Sequence, residues 1–101
     1  MNRYTNLLGD KGRKRRGRIE VIASILEVAK NRVSKTRLVY KANLNFALLN
    51  KYLSFLIRAN LIREIRKNSS IYYETTEKGR AFLSRYRQLR SLLEERPEVR
   101  G

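Results

Sequence analysis

The stretch KGRKRRGR, Lys11 to Arg18, puts six positive charges into eight residues. Guanidinium and ammonium groups at that density bind phosphate, and like charges so close together resist packing into a folded body. Lys11, Arg13, Lys14, Arg15, Arg16 and Arg18 are therefore read as phosphate ligands, most of them on a flexible basic arm, residues 1–17. A second group, Asn50, Lys51, Ser54 and Arg58, recurs at spacings that a helix gathers on one side, with Asn45 at the start of that helix. Asn can bond adenine through two atoms, Lys can reach the acceptors of guanine, and Ser suits several base edges. Lys35, Thr36 and Arg37 follow Ser34 at a predicted helix start, where free backbone N–H groups favour phosphate. Cations at a helix N-terminus are unfavourable by dipole, so two of them imply a gain from an outside partner. Arg66, Lys67, Asn68 and Ser69 make a small, polar, basic turn suited to lying along a nucleic-acid backbone.

Composition argues against catalysis. The chain has no Cys and no His, and Asp10 is its single aspartate. That removes thiol and imidazole nucleophiles, the usual zinc ligands and most acid–base pairs, so no catalytic residue, metal or cofactor is expected. Without cysteine there is no disulfide framework and no argument for secretion. The apolar stretch Leu53 to Ile57 is broken at Ser54 and is far too short for a bilayer, and the N-terminus lacks a signal-peptide core, so no membrane role is expected. The 101 residues suffice for one small core. A net charge of +15 and a pI near 11.0 exceed what solubility needs and point to a polyanion, hence a cytoplasmic, nucleoid-associated location.

The charge is unevenly placed. Residues 28–67 hold ten basic side chains against Glu64 alone, whereas residues 68–101 hold seven against five acidic ones. The elements that carry the middle segment follow from apolar spacing. Ile19, Ile22, Leu26 and Ala29 predict a first helix ending near Asn31, with Glu20, Ser24 and Glu27 on its other side. Ser34 caps a second helix with Leu38, Val39 and Ala42 inward, interrupted at Asn43 and Leu44. Asn45 caps a third, Phe46 to about Ala59, with Phe46, Leu49, Leu53 and Leu56 inward and Ala47, Asn50, Lys51, Ser54 and Arg58 outward.

After Asn60 the period changes. LIREIRK and IYYET read as two strands joined by the turn NSS, with Ile71, Tyr73 and Thr75 on one face. Thr76 caps a last helix, Glu77 to about Arg96, stopped by Pro97. The predicted class is α+β, mostly α: a winged helix-turn-helix of three helices and a two-stranded wing over residues 18–76, a C-terminal helix over 77–96 and a tail over 97–101. In such motifs the later helix enters the major groove and the earlier one crosses the backbone.

The run SKTRLVYKANLNFALLNKYLSFLIRANLI, followed by YYETTEKG, resembles the archaeal small winged-helix DNA-binding proteins of the "ten-a" chromatin type and related archaeal regulators. The resemblance spans Arg18 to about Arg87, and the segments KTR..Y.ANL and TTEKG carry it. It implies duplex-DNA binding with weak sequence preference, Asn45 to Ser54 as the groove helix, Arg66 to Ser70 as the wing, and dimers joined by an antiparallel coiled coil of C-terminal helices. The arm is an addition to that pattern, and the C-terminal helix is short for it.

Two matters stay open at this point. Phe82, Tyr86, Leu89 and Leu93 keep a heptad-like seam that either pairs two chains or packs on the first helix. The partner is duplex DNA by preference, with an RNA-binding structural role in a ribonucleoprotein as the alternative. There Asn50 and Lys51 would touch backbone, and Tyr40 or Tyr72 would stack on an unpaired base or pack at the rim. An arm and body that neutralise about seven phosphates predict a salt slope of about −6 in log K.

Overall fold

The computed structural model describes residues 16–94. Three helices, α1 (Arg18–Val28), α2 (Lys35–Lys41) and α3 (Phe46–Arg58), precede a hairpin of β1 (Ile62–Lys67) and β2 (Ser70–Thr75), and α4 (Glu77–Glu94) follows. This is the expected order. Residues 1–15 of the predicted arm and the predicted tail lie outside the described residues.

Helix α1 is the centre of the core. Val21, Ile22, Ala23, Ile25 and Leu26 are all buried, and so is Ala29 just beyond the helix. A single inward stripe does not describe it, because α4 packs along it while α2 and β2 also contact it. Ile19, expected inward, is half exposed in the first turn, where the neighbouring elements leave the helix uncovered. At the start of α1 the Glu20 carboxylate accepts from the Gly17 N–H at 2.8 Å, closing the N-terminus without a side-chain cap from Gly17.

The α3 stripe Leu49, Leu53 and Leu56 is buried as its spacing predicts. Phe46 is not: the first residue of the helix precedes the covered part of that stripe and is 49 % exposed. Each fully buried leucine contributes about 1.5–3 kcal/mol by leaving water.

The hairpin pairs Ile62 with Thr75 and Lys67 with Ser70. Its two-residue turn, Asn68 and Ser69, has φ of 55° and 87°, the type I′ pattern that matches strand twist. Ile65 faces away from Ile62, since it is three positions further along the strand, an odd step, and stands opposite Tyr72. A third strand position appears that the pattern did not announce. Val33 bridges Tyr73 through both backbone bonds, 3.0 and 2.8 Å, so the segment between α1 and α2 lines the hairpin.

Helix α4 is capped by Thr76, whose Oγ1 accepts from Gly79 N–H at 3.0 Å and donates to the Asn60 carbonyl at 2.8 Å. Leu83 is buried, with Phe82 and Tyr86 packed partly against the core. Arg87 pairs with Glu27 of α1. Among the described residues no helix is long and apolar enough to cross a membrane.

Candidate nucleic-acid interface

Three asparagines shape the helix-turn-helix. Asn43 ends α2 in the left-handed region at φ 58°, and Asn60 ends α3 at φ 64°. Both complete Schellman motifs: Leu44 N–H reaches Val39 O at 3.0 Å and Leu61 N–H reaches Leu56 O at 2.8 Å. Asn45 Oδ1 accepts from Leu48 N–H at 2.7 Å and starts α3. Ser34 Oγ likewise accepts from Arg37 N–H at 3.2 Å and starts α2. One N–H of the α2 terminus is thus already bonded, and the phosphate role of this end rests on the side chains of Lys35, Thr36 and Arg37.

With Leu49, Leu53 and Leu56 inward, the outer face of α3 consists of Ala47, Asn50, Lys51, Ser54 and Arg58, all exposed. The Asn45 amide is exposed as well, but its oxygen is held by the cap. Lys35, Arg37, Lys41, Lys51, Arg58 and Lys67 pair with no carboxylate among the described residues. Lys41 is a cation that the spacing argument passes over; its place in the last turn of α2, two residues before the αL asparagine of the turn, is the signal that marks it. No acidic residue occurs between Val28 and Arg63.

At the wing, Arg66, Lys67, Asn68 and Ser69 are exposed at the hairpin end. Arg66 lies 3.5 Å from Glu64, while Arg63 and Arg32 share Glu74 at 3.2 and 3.7 Å. The Tyr73 phenol is buried below this surface, and desolvation, then the Glu64 carboxylate, raise its pKa against the opposing Arg66.

The arm residues divide. Lys11, Arg13, Lys14 and Arg15 lie outside the described residues. Arg16 is turned inward: its guanidinium donates to Ala42 O at 2.9 Å and Asn43 O at 3.1 Å, at the C-terminus of α2. That contact offsets the negative end of the helix and is a structural use of a side chain read as a phosphate ligand. Nothing in the local sequence announces it. Arg18 is exposed at the rim of a half-open groove between α1 and α3, walled by Ile22, Leu48, Lys51, Tyr52 and Phe55. Of the seam, Phe82 and Tyr86 are partly covered by this chain's own core, whereas Leu89 is exposed and Leu92 and Leu93 are 68 % and 71 % exposed.

A family model for winged helix-turn-helix proteins matches residues 15–94, and the chain belongs to that family. An uncharacterized protein of Methanocaldococcus jannaschii is 33 % identical over 86 residues, 84 % of this chain and of that one. The structure of Sso10a-2, a DNA-binding protein from Sulfolobus solfataricus, is similar with a TM-score of 0.72 and 28 % identity, over 78 % of this chain and 83 % of that one. The transcriptional regulator BldR from Sulfolobus solfataricus shares the fold at a TM-score of 0.62 and 23 % identity, over 78 % and 63 % of the two chains. The resemblance to archaeal small winged-helix proteins therefore holds, in the family match and in the likeness to Sso10a-2.

Proposed function

We propose that the protein binds nucleic acid without catalysis, that the ligand is duplex DNA, and that it acts as an archaeal chromatin protein or transcriptional regulator. One observation carries the reading: a winged-helix frame presents Lys35, Arg37, Lys41, Lys51 and Arg58, unpaired among the described residues, on a stretch with no acidic residue from Val28 to Arg63, with Lys67 likewise unpaired at the hairpin end. In this reading α3 lies in the major groove with Asn50, Lys51 and Ser54 toward base edges. Lys35, Thr36, Arg37 and Arg58 meet flanking phosphates, and Arg66 to Ser69 follow the backbone as a wing. The basic arm adds sequence-independent phosphate contacts. The likeness to Sso10a-2, itself a DNA-binding protein, supports the choice of DNA.

The exposed Leu89, Leu92 and Leu93 are proposed to pair two chains through the end of α4, since Phe82 and Tyr86 already serve the intramolecular core. A competition titration tests the ligand: protein on a labelled mixed-sequence duplex at fixed salt, displaced by unlabelled duplex or by structured RNA. Duplex should compete at least as well per nucleotide. Tenfold stronger competition by structured RNA, about 1.4 kcal/mol, would replace this reading with a structural role in a ribonucleoprotein.

A further inference from the structure

Tyr40 and Phe46 are large aromatic side chains left at the surface, 77 % and 49 % exposed, on either side of the turn between α2 and α3. Tyr40 belongs to the last turn of α2 and stands three residues after Arg37, so the two share one side of that helix. Phe46 opens α3 beside the Asn45 cap and one turn before Asn50. Neither ring belongs to the buried core. Phe55 and Tyr52 differ, since they wall the groove between α1 and α3. Two aromatic rings thus stand exposed on either side of the turn that precedes α3, on the acid-free, cationic stretch.

Regular duplex gives such rings little to do, because its bases are stacked on each other and offer only their edges. Unpaired bases offer their faces, and proteins that hold them combine cations for the backbone with aromatic platforms for the bases. We propose that the helix-turn-helix face also binds unpaired nucleobases, stacking them on Tyr40 and Phe46. The inference rests on the reading that this face meets nucleic acid. It adds a ligand class: opened or single-stranded segments next to duplex.

The test is fluorescence anisotropy at one salt concentration with DNA probes of one sequence: full duplex, duplex with a short unpaired bubble, and single strand. An RNA hairpin displaying the bubble sequence in its loop separates the RNA source from the DNA source. The bubble should bind about tenfold tighter than duplex, within the range of one or two stacked bases. Tyr40→Leu and Phe46→Leu should each cut bubble affinity about fivefold and leave duplex affinity unchanged, while Tyr40→Phe retains both. The chain has no Trp, so Phe46→Trp installs a single indole, excited to the red of the six tyrosines, whose emission the bubble should quench and the duplex should not. Equal affinity for bubble and duplex overturns the inference, as does an equal loss on both probes in the leucine variants. Duplex binding that persists with no bubble advantage sinks this inference alone; failure to bind any probe sinks the proposed function with it.

Discussion

Replacing Gly79 by alanine should destabilise the protein, although alanine in a helix ordinarily gains about 1 kcal/mol over glycine. Gly79 is buried in the first turn of α4, where its N–H completes the Thr76 cap. A methyl group there would overlap the Leu61 carbonyl oxygen and lie 2.5 Å from Thr75 Cγ2. Neither obstacle is free to move. The Leu61 oxygen accepts from Thr76 N–H at 3.0 Å, and Leu61 N–H closes the end of α3. Thr75 donates from Oγ1 to Leu26 O at 2.7 Å and from its N–H to Ala29 O at 2.9 Å. The start of α4 must therefore shift outward, an overpacking cost of about 1–3 kcal/mol. Because the nearest atom belongs to an anchored backbone, the upper end applies, and subtracting the helix gain leaves about 2 kcal/mol. For a domain of this size the melting temperature should fall by about 10 °C. Thermal unfolding of the full chain followed by circular dichroism measures it. A raised melting temperature would refute the reasoning, since it would mean that α4 is not seated against Leu61 and Thr75.

Truncation of residues 1–15, which keeps Arg16 and the Gly17–Glu20 contact, should flatten the salt slope of DNA binding by about 3 to 4, the share of Lys11, Arg13, Lys14 and Arg15. An unchanged slope removes the arm from the interface. Tyr73 makes stability sensitive to alkaline pH. Its raised pKa means that the folded state favours the neutral phenol, so its contribution is complete below the ordinary value of 10.0 and is lost as pH rises through the raised one. Thermal melts should show a steeper loss above pH 10 in the wild type than in Tyr73→Phe, and parallel curves would remove Tyr73 as the cause.

What the sequence disclosed depends on the range of the interaction. The caps Ser34, Asn45 and Thr76 act within three residues, so their spacing alone predicts them. The outward set Asn50, Lys51, Ser54 and Arg58 follows from the buried stripe on the opposite side of α3. Periodicity gives a direction but not how far the neighbouring elements reach, which is why Ile19 and Phe46, at the second and first positions of their helices, fit the inward stripes and are nevertheless half exposed. The Val33 bridge is one residue long and has no pattern to read. Arg16 meets carbonyls 26 and 27 residues away, a contact that only the assembled fold creates.

The net charge of +15 overstates what the folded body can offer a polyanion. Arg16, Lys78 and Arg80 donate to carbonyls at the C-terminal ends of α2, α3 and α1, namely Ala42 and Asn43, Ala59, and Lys30. There they offset the helix dipoles. Lys30, Arg32, Arg63, Arg66, Arg87 and Arg90 lie against carboxylates. On α2, α3 and the wing this leaves Lys35, Arg37, Lys41, Lys51, Arg58 and Lys67 as unpaired cations among the described residues. If each of these and the exposed Arg18 at the start of α1 met one phosphate, the chain lacking residues 1–15 would keep a slope no steeper than about −6. A steeper residual slope would require ion pairs to open on binding. Arg66 is the cheapest source: its guanidinium is largely exposed, its contact with Glu64 is 3.5 Å long, and exposed pairs of that kind hold by no more than about 1 kcal/mol. The salt dependence of the truncated chain, compared with that of the same chain carrying Glu64→Gln, therefore distinguishes a wing that is ready for phosphate from one that must first give up its own carboxylate.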